Sequence, residues 1–404
     1  MPQSILLPNS LTDELPLRPY FQDDAAAACL ADLVTSWDKV AIARPHGMGK
    51  TTLLMQLYLL FAQGTASCPE RALAAAWPDT KTYPVVYLNL HNEAMSHDDD
   101  KFEQGLKAKL RAAYLKAGFA VDEIDPQQLL SNYLCALRRA SYEAGQSLVI
   151  LIDDWDYPLL QQRHQPETYQ TICAILGTLF AWIDNYEHLR FVLVTGTQRL
   201  TEVLRPYHCD LQDLTLEPIS SELLGLRPTK LRSSYRPVLE AAAAKLGLIP
   251  DQLADKLESY YGGWRPDPEE PNSVLSPLAL NCFFAALSEP QTSAEQAFKS
   301  YWSKSAPQLE LPSTPGLRAA LASNKLVLPL SQVLPEIPTV ACAEYSYLFA
   351  NGIMTIKEVI SKPSDCGHEL PEEDLDAWSD VLAPEPEIWV RCGYPNCDVA
   401  QALS

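Results

Sequence analysis

The chain has 404 residues, room for two or three domains, and 47% of them are hydrophobic, so substantial buried cores are expected. Its 31 Lys and Arg face 51 Asp and Glu, a net charge of −20; neutralising nucleic-acid phosphates needs the opposite balance, which argues against direct nucleic-acid binding. No apolar run reaches membrane-span length, and no basic-then-apolar leader opens the chain, so no membrane association and a cytoplasmic location are expected.

In chain order, residues 1–24 are punctuated by Pro2, Pro8, Pro16 and Pro19 and read as an extended lead-in to a helix over 25–36. The apolar run Val40-Ala41-Ile42-Ala43 then enters Arg44-Pro45-His46-Gly47-Met48-Gly49-Lys50-Thr51-Thr52, and an amphipathic stretch over 53–61 follows. Strand, glycine turn and helix is the setting in which such a turn is a phosphate-binding loop. Gly47 and Gly49 let backbone N–H groups curl around a β-phosphate, and the helix start at Thr51-Thr52 favours its charge. Lys50 reaches the β- and γ-oxygens, and Thr51 holds Mg²⁺. Arg44 stands where G-x-x-x-x-G-K-[ST] has its first glycine and is counted with Gly47, Gly49, Lys50, Thr51 and Thr52 among the candidate nucleotide-binding residues.

Residues 83–90 read as a buried strand, and 101–118 and 126–144 as helices. Leu148-Val149-Ile150-Leu151-Ile152-Asp153-Asp154 has the pattern of a central parallel strand ending in acids. Beside a phosphate loop, Asp153 is the candidate for Mg²⁺ and Asp154 for orienting the attacking water; the plainer reading is two acids capping a buried strand. A helix over 169–185 leads to the strand 191–197, whose Thr195 is the candidate γ-phosphate sensor, with Arg199 in support, or an ordinary turn threonine. This succession predicts an α/β fold: a mostly parallel sheet flanked by helices, of the additional-strand class of P-loop NTPases to which AAA-type ATPases belong.

Beyond about residue 205 the character changes. Residues 217–300 are helix-rich, with helices expected over 239–246, 252–260 and 278–287 and an interruption at Tyr261-Gly262-Gly263-Trp264-Arg265-Pro266; this region has the size and place of a helical lid. Arg265 either reaches the nucleotide or stacks on the surface. Residues 306–404 carry strand-like runs at 345–349, 353–356 and 387–390 and read as a small α/β module. The division is therefore 1–205, 206–305 and 306–404. Cys366, His368, Cys392 and Cys397 invite a zinc reading, but their spacing fits no common pattern, and the ten scattered cysteines fit reduced thiols better. The acidic clusters at 98–100, 269–270 and 372–374 read as solvated loops.

With these residues in view, the chain resembles the prokaryotic AAA-ATPase-like domain proteins. The counterparts of that family's motifs are the loop 44–51, the acidic segment Leu151-Ile152-Asp153-Asp154-Trp155-Asp156-Tyr157-Pro158-Leu159 and Thr195-Gly196. Tyr261 to Arg265, Tyr301-Trp302, Asn351 to Glu358 and Gly393-Tyr394-Pro395-Asn396-Cys397-Asp398-Val399 follow in the same order. The resemblance runs over almost the whole chain and explains Arg44, since the family also has arginine there. It implies ATP and Mg²⁺ as cofactors and a protein partner or self-assembly as the target. Asp154 departs from the family's glutamate, which pulls the carboxylate back by about 1.5 Å and points to slow hydrolysis. Many relatives continue into a PD-(D/E)xK nuclease where this chain ends at Ser404, so the nuclease activity is not carried over. The expected function is an ATP-dependent switch; the alternative is a non-hydrolysing adaptor in a phage-defence, mobile-element or secreted-effector system.

Overall fold

A computed structural model describes residues 24–67, 71–91, 99–204, 207, 211–265, 273–288, 294–302, 314–334, 343–360 and 388–403. The lead-in before residue 24, Arg205, Cys366, His368 and the acidic clusters at 269–270 and 372–374 lie outside these residues.

The first half is built on five parallel strands: β1 (Lys39–Ala43), β2 (Val85–Asn89), β3 (Leu148–Asp153), β4 (Leu189–Gly196) and the short β5 (Gln212–Asp213). Their spatial order is β2-β3-β4-β1-β5. Every residue of β3 is buried, as expected for an aliphatic strand covered on both faces. Alternate side chains feed two cores. Val149, Leu151, Phe191 and Leu193 pack with the helices Asp24–Ser36 and Lys50–Gln63 on one face. Ile150, Ile152, Val192 and Val194 pack with Asp99–Lys116, Leu130–Glu143 and Pro166–Asp184 on the other.

The order refines the reading of the sequence. Between the lysine and acidic motifs the chain contains β2, but in space the strand separating β1 from β3 is β4. Ile42 pairs with Thr195 and Asn89 with Asp153, so the strand tips lie level along one edge of the sheet. Parallel strands expose ligand-binding tips at this carboxyl edge.

The following segment is helical, with Arg236–Leu246, Pro250–Tyr261 and Pro277–Ser288 enclosing their own core of Leu239, Leu253, Leu257, Phe283 and Tyr301. The last segment contains an antiparallel sheet of β6 (Leu326–Pro329), β7 (Thr355–Ile360) and β8 (Trp389–Gly393), in the order β6-β8-β7. One expectation fails here: residues 345–349 lie within the helix Ala343–Ala350, not in a strand. The alternating aromatics imitate a two-residue period, yet the consecutive Tyr347, Leu348 and Phe349 are all buried. The turn at Gly352, φ 73°, closes that helix by returning the Ile353 N–H to the Leu348 carbonyl at 2.9 Å.

The two later segments are fastened together by residues of the resembling motifs. Asp398 is buried, and its Oδ1 accepts from Ser300 Oγ at 2.7 Å, Tyr301 N at 2.8 Å and Trp302 N at 3.0 Å. Asn396 donates to the Gly262 carbonyl at 2.7 Å, and Arg265 donates to the Lys357 carbonyl at 3.1 Å. These motifs therefore act as fasteners, and Arg265 is directed to β7.

Candidate nucleotide site

The loop between β1 and the Lys50–Gln63 helix turns sharply at Gly47 (φ 77°) and Gly49 (φ 94°), angles that side-chain-bearing residues rarely adopt. The helix starts with no side-chain cap, so its first turn relies on some other group to complement the N–H ends. Gly47, Gly49, Lys50, Thr51 and Thr52 line a cleft of about 150 Å³ together with His46, Asp154, Pro277 and Leu278. The far wall comes from the helical segment, which grips the loop backbone. Leu278 N and Ser276 Oγ donate to the Gly47 carbonyl at 3.2 and 3.3 Å, and Gly225 N donates to the Met48 carbonyl at 2.8 Å.

Lys50 is buried, and its Nζ donates to the carbonyls of Arg44 at 2.8 Å and Pro45 at 3.2 Å. One residue on, Thr51 Oγ1 donates to Asp153 Oδ2 at 2.7 Å. Thr195 Oγ1 donates to Asp153 Oδ1 at 2.9 Å. Loop, acidic strand and neighbouring strand thus meet at one carboxylate. Thr51 and Asp153 together offer a hydroxyl and a carboxylate oxygen, the hard donor set that suits Mg²⁺. Among the described residues no group of three His, Cys, Asp or Glu converges to hold a metal ion, and one hydroxyl with one carboxylate leaves ligand positions for phosphate and water. That donor set fits a nucleotide-borne Mg²⁺.

The two acids are shifted in opposite directions. Burial, reinforced by the adjacent Asp154 charge, raises the Asp153 pKa to about 6. Burial pushes Asp154 upward as well, but a hydrogen bond from His91 and the charge of Lys50 outweigh it and keep its pKa below the usual value. His91 Nδ1 lies 3.5 Å from Asp154 Oδ2, and its ring stacks on Tyr157 with centroids 3.9 Å apart. Asp154 has φ 49°, a left-handed conformation that aspartate tolerates better than most residues. His46 is lowered to about 4 by burial and the Lys50 charge, so its imidazole is neutral at pH 7.

Two residues named from the sequence lie away from this cleft. The guanidinium of Arg44 is buried, donating to the Ala43 carbonyl at 2.9 Å and the Thr215 carbonyl at 2.6 Å, and lies 5.5 Å from the Trp264 ring. It braces the base of the loop. Arg199 pairs with Asp213 at 2.7 Å, at the tip of β5. Three contributors were given no role from the sequence. Tyr87 OH donates to Asp153 Oδ2 at 3.3 Å. His91 holds Asp154. Asp156 Oδ2 accepts from the Thr197 hydroxyl, from Thr197 N at 2.9 Å and from Gln198 N at 2.7 Å, tying the exit of β3 to that of β4. The usable signal was alternation: Tyr87, Asn89 and His91 follow one another at every second position. The zinc reading gains nothing from the described part: Cys392 is buried in β8 with its thiol pushed up to about 12, whereas Cys397 is exposed.

Residues 24–203 match the family model described as Predicted AAA-ATPase. The matched region covers the parallel sheet up to β4 and includes the loop, both acids and Thr195. A match to a model of predicted ATPases agrees with a nucleotide-binding site at this edge of the sheet. The chain is also similar to a protein of Azotobacter chroococcum mcd 1 described as an uncharacterized protein in the vnfD 5′ region, with 23% identity over 329 residues. That match covers 79% of this chain and 57% of the relative, so the chain spans under two thirds of the relative's length. No helix among the described residues is long and apolar enough to cross a membrane.

Proposed function

We propose that the chain binds ATP with Mg²⁺ at the Lys50–Thr51–Asp153 cleft, hydrolyses it slowly, and uses the occupancy of that cleft to act on a protein partner. The observation that carries the reading is the meeting of Thr51, Asp153 and Thr195 beside the lysine of a glycine-turned helix start. Loop N–H groups and Lys50 would take the β- and γ-phosphates. Thr51 and Asp153 would hold Mg²⁺, which when bound neutralises charge on those phosphates. Asp154, kept ionised, can accept a proton from the attacking water. Thr195 lies at a strand tip suited to sensing the terminal phosphate. The spatial order, with β4 between β1 and β3, supports the additional-strand class of P-loop NTPase.

The contacts also suggest how occupancy leaves the site. A lysine ammonium has three donors, and Lys50 spends two on the carbonyls of Arg44 and Pro45. Two phosphate oxygens require it to release at least one carbonyl, and the longer bond, to Pro45, is the one to go. Pro45 packs against Gly352 in the 306–404 segment, where a Cβ added to the glycine would lie 2.9 Å from the proline Cβ. The helical lid and the last segment are thus both in touch with the loop.

Equilibrium binding of ATP with Mg²⁺ tests the reading. Wild-type protein should bind and Lys50→Ala should not; no binding by wild type, or binding unaffected by Lys50→Ala, overturns it. The adaptor alternative draws on the short Asp154 side chain and its engagement with His91. Phosphate release abolished by Asp154→Ala supports the switch; retained binding without any release supports the adaptor.

A further inference from the structure

We propose that Tyr87, on the edge strand β2, is a positioning residue for Asp153 in metal binding, an inference that rests on the nucleotide reading above. A carboxylate offers about four acceptor directions, and the structure fills four at Asp153. Oδ1 accepts from Thr195 Oγ1 at 2.9 Å and from Asp154 N at 3.1 Å. Oδ2 accepts from Thr51 Oγ1 at 2.7 Å and from Tyr87 OH at 3.3 Å.

These donors are not equivalent. Thr51 is itself a prospective metal ligand, and its hydroxyl must turn a lone pair towards the cation. Thr195 and the Asp154 amide both act on the opposite oxygen. Tyr87 is therefore the donor that fixes Oδ2 from outside the metal's own ligands. The register explains its reach. Asn89 pairs with Asp153, so Tyr87, two residues earlier, projects from the same face, and the length of a phenol brings its hydroxyl up to the carboxylate. Burial, with the Asp153 charge second, raises the Tyr87 pKa far above its ordinary value, so the phenol stays a neutral donor throughout the working pH range. Groups that orient a ligating carboxylate typically change metal affinity by about 10–100-fold when removed. The 3.3 Å bond places Tyr87 at the lower end.

The test uses the full chain and its Tyr87→Phe variant, which deletes one oxygen and keeps the ring. Binding of a fluorescent ATP derivative is titrated first in EDTA and then against increasing MgCl₂. The expected result is equal metal-free affinity in both proteins and about tenfold more Mg²⁺ for half-maximal enhancement in Tyr87→Phe. Equal metal-free affinity also reports that the variant is folded. An unchanged Mg²⁺ requirement, or an equal loss with and without metal, overturns the positioning role and leaves the nucleotide reading standing. Absence of any Mg²⁺-dependent binding in the wild type overturns both.

Discussion

Replacing Gly352 by alanine should weaken ATP binding from a distance, and its size can be worked from the contacts. The residue has φ 73°, and an added Cβ would meet Pro45 Cβ at 2.9 Å and Pro45 Cγ at 3.2 Å. The left-handed backbone alone costs a substituted residue about 1–2 kcal/mol. Overpacking against an unyielding neighbour adds about 1–3 kcal/mol. Gly247 separates the two terms, because it has φ 65° with nothing within 4 Å of an added Cβ. Gly247→Ala therefore carries the backbone strain without the clash. If half of the clash is relieved by displacing Pro45, the loop bears about 0.5–1.5 kcal/mol, a two- to twelvefold loss in ATP affinity. Isothermal titration of both variants, each checked for folding by circular dichroism, reads the difference. Equal affinities in the two variants would refute the idea that the last segment leans on the phosphate loop through Pro45.

Arg44→Met should lower stability by about 1–3 kcal/mol for each stranded carbonyl acceptor, those of Ala43 and Thr215; denaturant melts measure it, and a fully stable variant would contradict the bracing role. Asp398→Ala should loosen the joint at Ser300 to Trp302, because it removes the acceptor of the three hydrogen bonds that Oδ1 takes now. Limited proteolysis would show faster cleavage between the helical and last segments, and unchanged cleavage would count against it. Acid should loosen the phosphate loop through His46. Its folded pKa, lowered to about 4 by burial and then by the Lys50 charge, lies below the ordinary 6.5, so the native state binds this proton more weakly than the unfolded chain. The corresponding stability is present above 6.5 and is lost as pH falls towards 4, on the order of 3 kcal/mol in total. Asp153, raised to about 6, works in the opposite sense, its contribution being present in acid and lost as pH rises through that value. The comparison of wild type with His46→Asn isolates the histidine, and parallel pH profiles would refute its share.

What the sequence disclosed and what it hid divide along contact distance. The loop glycines, Lys50, Thr51 and the two acids announce themselves because each belongs to an unbroken local pattern: an apolar run, a turn, a helix start or a strand end. The partners of those residues do not. Arg44 was assigned to the nucleotide by its place in the motif, whereas its side chain is taken by the Thr215 carbonyl, 171 residues further on. Local reading misjudged residues 345–349 for a related reason: burial on a helix and alternation on a strand both permit three neighbouring aromatics and aliphatics, and only the Gly352 closure decides between them. The sheet order is the deepest case. Phe191, Leu193 and Val149 are equally apolar, so nothing in their composition says that β4 lies inside the sheet and β2 at its edge.

That order nevertheless determines the chemistry. The helix Lys50–Gln63 leaves β1 and packs Leu53 and Leu57 into the core that includes Val149 and Leu151 of β3. Thr51 is thereby carried over the strand tips to Asp153, 102 residues away. Thr195 reaches the same carboxylate because β4 fills the space between β1 and β3, and Tyr87 reaches it from the edge. Were β2 and β4 exchanged, the local motifs would read unchanged, yet the strand tip between loop and acid would present Asn89 in place of Thr195. The placement of the strands, rather than the motifs alone, decides which hydroxyls surround Asp153.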